Sequence, residues 1–315
     1  MRIRLSDNTS GAKISRFVGL IDVHLPNVGL TILNIDCYAI TVPPVDHELN
    51  LTMQAVLTSV SWGLTAVLLA IAIWLGVRER TPFYALIVLA AGVGAFAEPL
   101  YDVAMMLYFY STPGMWTHFT AFDIPQPIWT HSGYVVLYAA PAMYIAHQIS
   151  RGTMTRLKLF GLAGITLLES AVFEIVGING GLYSYWGPHV FRIFEYPLVI
   201  GVLETAQVIC FAIVASQLRA RTASQWHLLG LLVLFPCTFF GANFGLGWPT
   251  IIAIHLENTS TSVVVAATVV SIGLAAVMIR MSASFLPRVA AGDARVRQNT
   301  ATEHALPAVR SGDPI

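Results

Sequence analysis

The chain has little charge and no excess of either sign. Asp, Glu, Lys and Arg make up 11% of its 315 residues, and the formal net charge is zero. Without an excess of positive charge the chain lacks the electrostatic attraction that drives nucleic-acid binding, so we expect no nucleic-acid partner. Hydrophobic residues make up 56% of the sequence, which is typical of a polytopic membrane protein.

Signatures of metal and redox chemistry are also missing from the sequence. Cys37, Cys210 and Cys237 form an odd set, and neither C-x-x-C nor H-E-x-x-H occurs, so we interpret them as buried hydrophobic residues. The nine histidines are scattered, which argues against a metal-dependent desaturase or hydroxylase. The D-D-x-x-D motif of magnesium-dependent prenyl diphosphate enzymes is absent. We therefore expect no metal and no cofactor.

Seven apolar segments of about 20 residues, the length that crosses a bilayer, follow one another with short links. The sequence predicts an all-α polytopic protein with a seven-helix transmembrane domain over 51–282 and an N-terminal extension over 1–50. The polar segment 283–315 predicts a disordered cytoplasmic tail. The predicted spans are 54–77, 84–110, 128–149, 157–181, 194–217, 227–252 and 260–280.

Basic residues alternate between the links, and this alternation predicts the orientation. The links 111–127, 182–193 and 253–259 contain one basic residue, Arg192. The links on the other side, and the tail, carry Arg78, Arg80, Arg151, Arg156, Lys158, Arg219, Arg221, Arg280, Arg288, Arg295 and Arg297. We therefore expect the N-terminus outside (or luminal) and the C-terminus in the cytoplasm, in the endoplasmic reticulum of a eukaryote or the plasma membrane of a bacterium.

Two familiar seven-span classes do not fit. A retinal protein needs a lysine in its last span, but the lysines are Lys13 and Lys158. A receptor is disfavoured because the links are short and motifs of the D-R-Y and N-P-x-x-Y kind are absent. Two classes stay open: an enzyme that acts on a lipophilic substrate by acid catalysis, and a small proton-coupled carrier. Carriers usually contain an internal repeat, and none is seen here.

Carboxyl groups lie inside the apolar spans, where each costs several kcal/mol unless it is paired, protonated or hydrated. Glu98 and Asp102 are four residues apart and share a helix face, with a helix-kinking Pro99 between them. Two carboxyl groups at a dry site do not both ionise, and a protonated acid is what a proton-initiated reaction requires. Glu98 and Asp102 are therefore candidate catalytic residues. The alternative is a hydrogen-bonded pair that locks helices together.

Three more glutamates lie in later spans. Glu169 and Glu174 are five residues apart, about 140° around a helix, so they face different neighbours. We favour Glu174 for a chamber near Glu98, at the same expected depth, and Glu169 for helix packing. Glu204 lies one turn before Gln207. This pair either forms hydrogen bonds between helices or takes part in catalysis.

Aromatic side chains fill the link 182–193. The ring faces of Tyr185 and Trp186 stabilise cations at close range, and Arg192 suits an anionic or phenolic group. An interfacial aromatic belt is the alternative. Asn243, in a glycine-rich part of the sixth span, suits a substrate carbonyl. His131, just inside the third span, is either a packing residue or a substrate contact.

The segments AEPLYD (97–102), TAFDIPQPIW (120–129) and GLYSYWGPHVFRIFEYPL (181–198), set among seven short-linked spans, resemble the integral-membrane terpene cyclases of meroterpenoid biosynthesis. The resemblance covers about residues 55–280 and is one of architecture and local composition. It implies metal-independent cyclisation of a prenyl chain on a lipophilic, prenylated small molecule, with membrane lipid as the other partner.

The resemblance also implies roles for the candidate residues. Glu98 or Asp102 would protonate an epoxide, an alkene or an allylic alcohol, and aromatic faces would stabilise the carbocation. Glu174 or Glu195 would remove the final proton. The expected substrate contacts are Tyr101, His131, Tyr185, Trp186, Arg192 and Asn243.

Overall fold

The computed structural model describes residues 42–286, which form a bundle of helices with short strands between them. The α-helices are α1 (Leu51–Glu79), α2 (Phe83–Gly94), α3 (Glu98–Met105), α4 (Trp129–Tyr134), α5 (Ala140–Ser150), α6 (Arg156–Asn179), α7 (Leu198–Arg221), α8 (Leu231–Asn243), α9 (Trp248–His255) and α10 (Thr261–Ser282). The strands are β1 (Leu107–Phe109), β2 (Thr117–Ala121), β3 (Ile124–Pro127), β4 (Tyr183–Tyr185), β5 (Arg192–Ile193) and β6 (Tyr196–Pro197).

Six helical segments within residues 42–286 are long and apolar enough to cross a membrane, which supports the predicted membrane protein. They are Leu51–Glu79, Phe83–Met105, Arg156–Asn179, Leu198–Arg221, Gln225–Asn243 and Thr261–Phe285. The predicted third span is also helical, but it is divided: a π-helical segment, Val135–Ala139, separates α4 from α5.

Polar caps fix where helices begin and end. The Asn50 side chain accepts a hydrogen bond from the Met53 amide at 3.1 Å and starts α1. At the far end Arg80 adopts a left-handed conformation with φ of 53° and stops it. Thr155 caps α6 in the same way, accepting from the Lys158 amide at 3.2 Å. These caps locate the turns between apolar segments.

Two predicted spans end earlier than the sequence indicates. The second was expected to reach residue 110, but its helix stops at Met106 (φ 50°), and Leu107–Phe109 forms β1 instead. The sixth was expected to run from 227 to 252, but α8 ends at Asn243 and α9 starts at Trp248. Gly245 and Gly247 lie in the interruption, where they favour departure from helix geometry.

The strands lie at one end of the bundle, which we call the strand end. β1 and β4 pair antiparallel, with Leu107 opposite Tyr185, and so join the two long links. β2 and β3 form a hairpin whose turn residues Phe122 and Asp123 have positive φ angles of 54° and 59°. The link 111–127 therefore contains a hairpin. The opposite end, which carries Arg78, Arg151, Arg219 and Arg221, is called the basic end.

Helix α7 lies at the centre of the bundle. It packs against α5, α6, α8 and α10, and 78% of its most apolar stretch is buried within the protein. By contrast, only 22% of the corresponding stretch is buried in α1 and in α10, so their apolar side chains face outward. Side chains on α7 therefore meet groups from most of the other spans, and this makes α7 a natural support for an internal site.

The predicted flanking regions fall mainly outside the described residues. Residues 1–41 of the N-terminal extension and residues 287–315 of the tail are not among them. The start of the predicted disordered tail is ordered, because Ala283–Phe285 forms a 3-10 helix in which Ala283 is buried. This 3-10 helix follows directly after the end of α10.

Candidate active site

An internal cavity of about 30 Å³, large enough for about two water molecules, lies within the helix bundle toward the strand end. Three carboxyl groups line it: Glu98 from α3, Glu174 from α6 and Glu204 from α7. The remaining wall is mainly aromatic. It includes Tyr101, Phe109, Trp129, Tyr134, Tyr138, Phe173, Tyr183 and Tyr185. We call this cavity and its wall the chamber.

Glu98 lies at the start of α3, where a 3-10 turn, Ala95–Ala97, interrupts the second span. Its carboxyl group accepts a hydrogen bond from the Tyr134 hydroxyl, and the residue is 7% exposed. Pro99, from which the sequence predicts a kink, is the next residue. The break in the helix therefore lies beside Glu98. The Glu98 side chain is thereby directed to the bundle interior.

Glu204 is the most strongly held carboxyl group of the chamber. Oε1 accepts from the Tyr138 hydroxyl at 2.8 Å, and Oε2 accepts from the Ser170 hydroxyl. Ser170 also contacts the Tyr196 hydroxyl at 2.9 Å. This network joins the π-helical segment Val135–Ala139 to α6 and α7 and fixes the carboxyl group from two sides.

Glu174 accepts a hydrogen bond from the Tyr185 hydroxyl at 3.1 Å. Tyr185 belongs to β4, so the two-stranded ribbon closes the chamber directly over this carboxyl group. Burial and the neighbouring Glu174 carboxyl raise the pKa of the Tyr185 phenol well above its usual range. Tyr185 therefore stays protonated and acts as a donor at any physiological pH.

Asp102 lies one turn beyond Glu98 but does not line the chamber. It is fully buried, and Oδ2 accepts from the Gln126 amide of β3 at 2.6 Å. Its other carboxylate oxygen has no hydrogen-bond partner among residues 42–286. The two acids predicted to share one helix face therefore have different surroundings, one beside the cavity and one beneath the hairpin.

No basic side chain lines the chamber within the described part of the chain. The ion pairs among residues 42–286 lie outside the chamber. Arg219 and His147 pair with Glu79 at the basic end, and Arg192 pairs with Glu195. The four buried acids are thus surrounded by hydroxyl and amide donors and by ring faces. Such a site can hold and deliver protons, and it can accommodate a transient positive charge.

The π-helical segment brings two tyrosines to the chamber. Tyr134 precedes it and Tyr138 lies within it, and their rings meet edge to face with centroids 4.9 Å apart. Pro141 follows in the first turn of α5 and lacks the amide hydrogen that a regular helix would use. π-Helical turns often occur at functional sites.

Several residues predicted from the sequence lie outside the chamber. Glu195 has a side chain that is 74% exposed, and the guanidinium of Arg192 donates to the carbonyls of Tyr185 (2.7 Å) and Gly187 (2.8 Å). Arg192 thus holds its own loop in shape. Trp186, His131 and Asn243 are likewise not part of the chamber wall. Tyr101, Glu98, Glu174 and Tyr185 are the predicted residues that the structure brings together.

His131 belongs to a separate cluster near the strand end. One ring nitrogen contacts the Gly92 carbonyl at 2.6 Å, and the other contacts His118 at 3.1 Å. Phe96 lies edge-on to His131 at 4.6 Å. Partial burial and the neighbouring His131 lower the pKa of His118 to about 4. Asn243 donates to the Phe239 carbonyl within its own helix.

The sequence prediction did not select three important chamber residues. Glu204 was left open between helix packing and chemistry, and Tyr134 and Tyr138 were not considered. Their signal is present: two tyrosines four residues apart in an apolar span share a face, as do Glu98 and Asp102. A mid-span tyrosine needs a hydrogen-bond partner, and in the structure that partner is a carboxyl group for both.

No three His, Cys, Asp or Glu side chains within residues 42–286 are placed to hold one metal ion. In comparisons with known proteins, no family model, curated protein or solved structure matches the chain.

Proposed function

We propose that the protein is a membrane-bound terpene cyclase that starts cyclisation of a prenyl chain by protonation. The observation that carries the proposal is the chamber itself: three carboxyl groups, each bonded to a tyrosine hydroxyl, face one cavity walled by aromatic rings. Acid groups supply and remove protons, and ring faces stabilise the carbocation between those two steps.

In this mechanism Glu98 donates its proton to a terminal epoxide oxygen or to an alkene carbon. The electron pair of the next double bond then attacks the cationic carbon and closes a ring. Glu174 or Glu204 removes a proton from the final cation, which restores a double bond, so substrate and product have the same mass. Asp102, one turn beyond Glu98 on α3, is the second candidate donor.

The chamber is much smaller than a farnesyl chain, so the substrate must displace side chains of the wall when it binds. The rings are the natural elements to move, because each turns about two side-chain bonds without breaking the backbone. Closure of the rings around the bound chain excludes water, which would otherwise capture the cation. No cofactor enters the scheme, and the partner is a lipophilic prenylated molecule taken from the membrane.

The proposed topology has seven spans, with 129–150 as the third, the N-terminus outside and the C-terminus cytoplasmic. The supporting facts are the continuous helical stretch of α4, the π-helical segment and α5, and the concentration of Arg at the basic end. This orientation opens the chamber toward the outer leaflet. The membrane is the endoplasmic reticulum in a eukaryote or the plasma membrane in a bacterium.

The test is turnover by membranes that carry the protein, supplied with prenylated phenols and their terminal epoxides. We expect an isomeric product from the wild type and a loss of at least about 100-fold in Glu98→Gln, since general acid catalysis contributes about 10²–10⁴. Glu169→Gln is the matched control, because Glu169 is only partly buried and does not line the chamber. Full turnover by Glu98→Gln would refute the assignment.

A proton-coupled carrier is the second candidate, and a specific feature supports it. Two spans are interrupted, at Ala95–Ala97 and at 244–247, and broken helices are common at the binding sites of carriers. Uptake of a lipophilic solute into proteoliposomes under a pH gradient, without any isomeric product, would favour the carrier over the cyclase.

A further inference from the structure

An apolar groove of about 580 Å³ opens on the outside of the bundle, between α3 and the end of α8. Leu100 and Val103 are 47% and 44% exposed, and Phe122 of the hairpin turn, 60% exposed, also lines the groove. The full lining is Leu100, Val103, Ala104, Phe122, Phe240 and Phe244. No polar side chain is among these residues, so the groove suits a hydrocarbon chain and not a head group.

One layer of side chains separates the groove from the chamber. On α3, Leu100 lines the groove and the next residue, Tyr101, lines the chamber. On α8, Phe240 lines the groove, and Phe239 contacts the Tyr101 ring with centroids 5.7 Å apart. Tyr101 and Phe239 thus form the partition between the two spaces.

Ring contacts run without a gap from the groove to the acids. Phe244 meets Phe240 at 5.1 Å, and Phe240 meets Phe239 at 5.6 Å. Phe239 then meets Tyr134 at 5.3 Å, and Tyr134 holds Glu98. A chain that passes between these rings stays in contact with aromatic faces from the lipid boundary to the carboxyl group.

The helix that forms one wall of the groove is interrupted beside it. Helix α8 ends one residue before Phe244, and the helix resumes only at Trp248. Pro236 also removes one backbone hydrogen bond from α8. Phe240 lies in the last turn of α8 and Phe244 lies just past its end, whereas α1, α6 and α7 continue without a break.

We propose that the groove binds the prenyl chain of the substrate and admits it to the chamber, with Tyr101 and Phe239 as the gate. This inference rests on the proposed function. Phe239 of the gate contacts Tyr134, which donates to Glu98, so the leading end of a chain threaded past the gate reaches the proton donor. The polar head stays near Phe122, at the strand end, where it remains in contact with water.

The test uses a farnesyl phenol with a diazirine on its terminal isoprene unit, photolysed with the full-length protein in lipid nanodiscs. We expect labelled peptides from 98–104 and 239–244, and competition by the unlabelled farnesyl phenol. Leu100→Trp and Val103→Trp fill the groove, and each should lower the labelling about tenfold. Leu89→Trp is the matched control, because Leu89 is 50% exposed on the neighbouring α2 and does not line the groove.

Three results would overturn the inference: labelling spread evenly over the outward faces of α1, α6 and α10, labelling unaffected by both groove variants, or equal labelling of the groove by a photoreactive phospholipid. The last would identify the groove as an ordinary lipid contact. Turnover separates this inference from the proposed function. Groove labelling without any cyclised product refutes the cyclase alone, whereas turnover with an unchanged KM in Leu100→Trp and Val103→Trp refutes the groove alone.

Discussion

Individual carboxyl groups of the chamber differ in how firmly they are held. Glu204 accepts two side-chain hydrogen bonds, whereas Glu98 and Glu174 each accept one from a tyrosine. An acid with one donor is freer to turn toward a substrate than an acid held from both sides. In the proposed cyclase mechanism, this difference favours Glu98 over Glu204 as the proton donor.

Ser170→Ala should destabilise the protein by about 1–2 kcal/mol. The change removes the hydroxyl that bonds both Glu204 and Tyr196, and a buried group left unpaired costs about 1–3 kcal/mol, although hydrogen bonds within membranes average less. Thermal unfolding in detergent measures the effect, with the exposed Ser284→Ala as the control. Equal stability of the two variants would show that the Ser170 network is not structural.

His189 makes stability depend on pH. It is buried, Nε2 contacts the Met105 carbonyl at 2.8 Å, and Nδ1 has no partner among the described residues. Burial lowers the pKa of His189 to about 4, with Arg192 and His255 adding to the effect. Since the unfolded chain binds the proton more readily, stability is present above about pH 6.5 and is lost as the pH falls toward 4.

His189→Gln should therefore lose less stability between pH 7 and pH 4.5 than the wild type, by about 2–3 kcal/mol. Glutamine keeps an amide donor for the Met105 carbonyl but does not titrate. Unfolding curves at both pH values measure the difference, with His227→Gln, on the exposed 3-10 turn at the basic end, as the control. Parallel losses in wild type and variant would exclude His189 as the cause.

Among the elements, the helix ends at the basic end are joined by one side-chain cluster. Arg219 of α7 donates to Glu79 of α1 at 2.8 Å and to the Tyr84 hydroxyl of α2 at 3.0 Å. His147 of α5 lies 3.2 Å from the same Glu79 carboxyl. The cluster, which we call the basic-end clamp, connects the ends of α1, α2, α5 and α7.

Arg219→Met should destabilise the bundle by about 2 kcal/mol. The variant leaves the Glu79 carboxyl, only 21% exposed, without its guanidinium partner, which is the costly way to break a partly buried pair. Thermal unfolding is the measurement, and Arg221→Met, an exposed arginine two residues later, is the control. A double variant with Glu79→Gln should lose less than the sum of the two single losses.

Among the helices, the interruptions are where the structure departs most from the sequence prediction. Hydropathy detects apolar length, and the apolar residues run on through 244–247 and into β1. It does not detect a glycine pair that opens a helix, or a strand partner such as Tyr183–Tyr185 that competes with helix. Pro99 is the exception, because its missing amide hydrogen is visible in the sequence and marks the interruption correctly.

For the whole molecule, the proposed seven spans predict which links share a side of the membrane. In a variant without Cys37, Cys210 and Cys237, a cysteine at Ser111 should react with an impermeant maleimide added outside. A cysteine at Thr153 should react only after the membrane is permeabilised, because one crossing, 129–150, separates the two positions. Labelling of both from the same side would remove 129–150 from the spans.

The amino-acid sequence by itself determined that the protein belongs to a membrane. A composition of 56% hydrophobic and 11% charged residues is typical of a membrane protein, and apolar stretches of about 20 residues indicate helices long enough to cross a bilayer. The sequence also indicated that Glu98, Asp102 and Glu174 lie inside apolar spans, where a carboxyl group must be paired, protonated or hydrated. These conclusions need only local information, because hydropathy and helical spacing are properties of neighbours along the chain.

Only the tertiary structure decided which acids face one another. Glu98, Glu174 and Glu204 come from three different spans, and their meeting depends on how α3, α6 and α7 are rotated and packed. The same packing left Glu195 exposed, turned Arg192 toward its own backbone and brought Tyr134 and Tyr138 to the acids. The rotation of each helix is set by side-chain contacts between residues far apart in the sequence. Because an apolar helix has several faces of similar hydrophobicity, no short stretch of sequence shows which face packs inward.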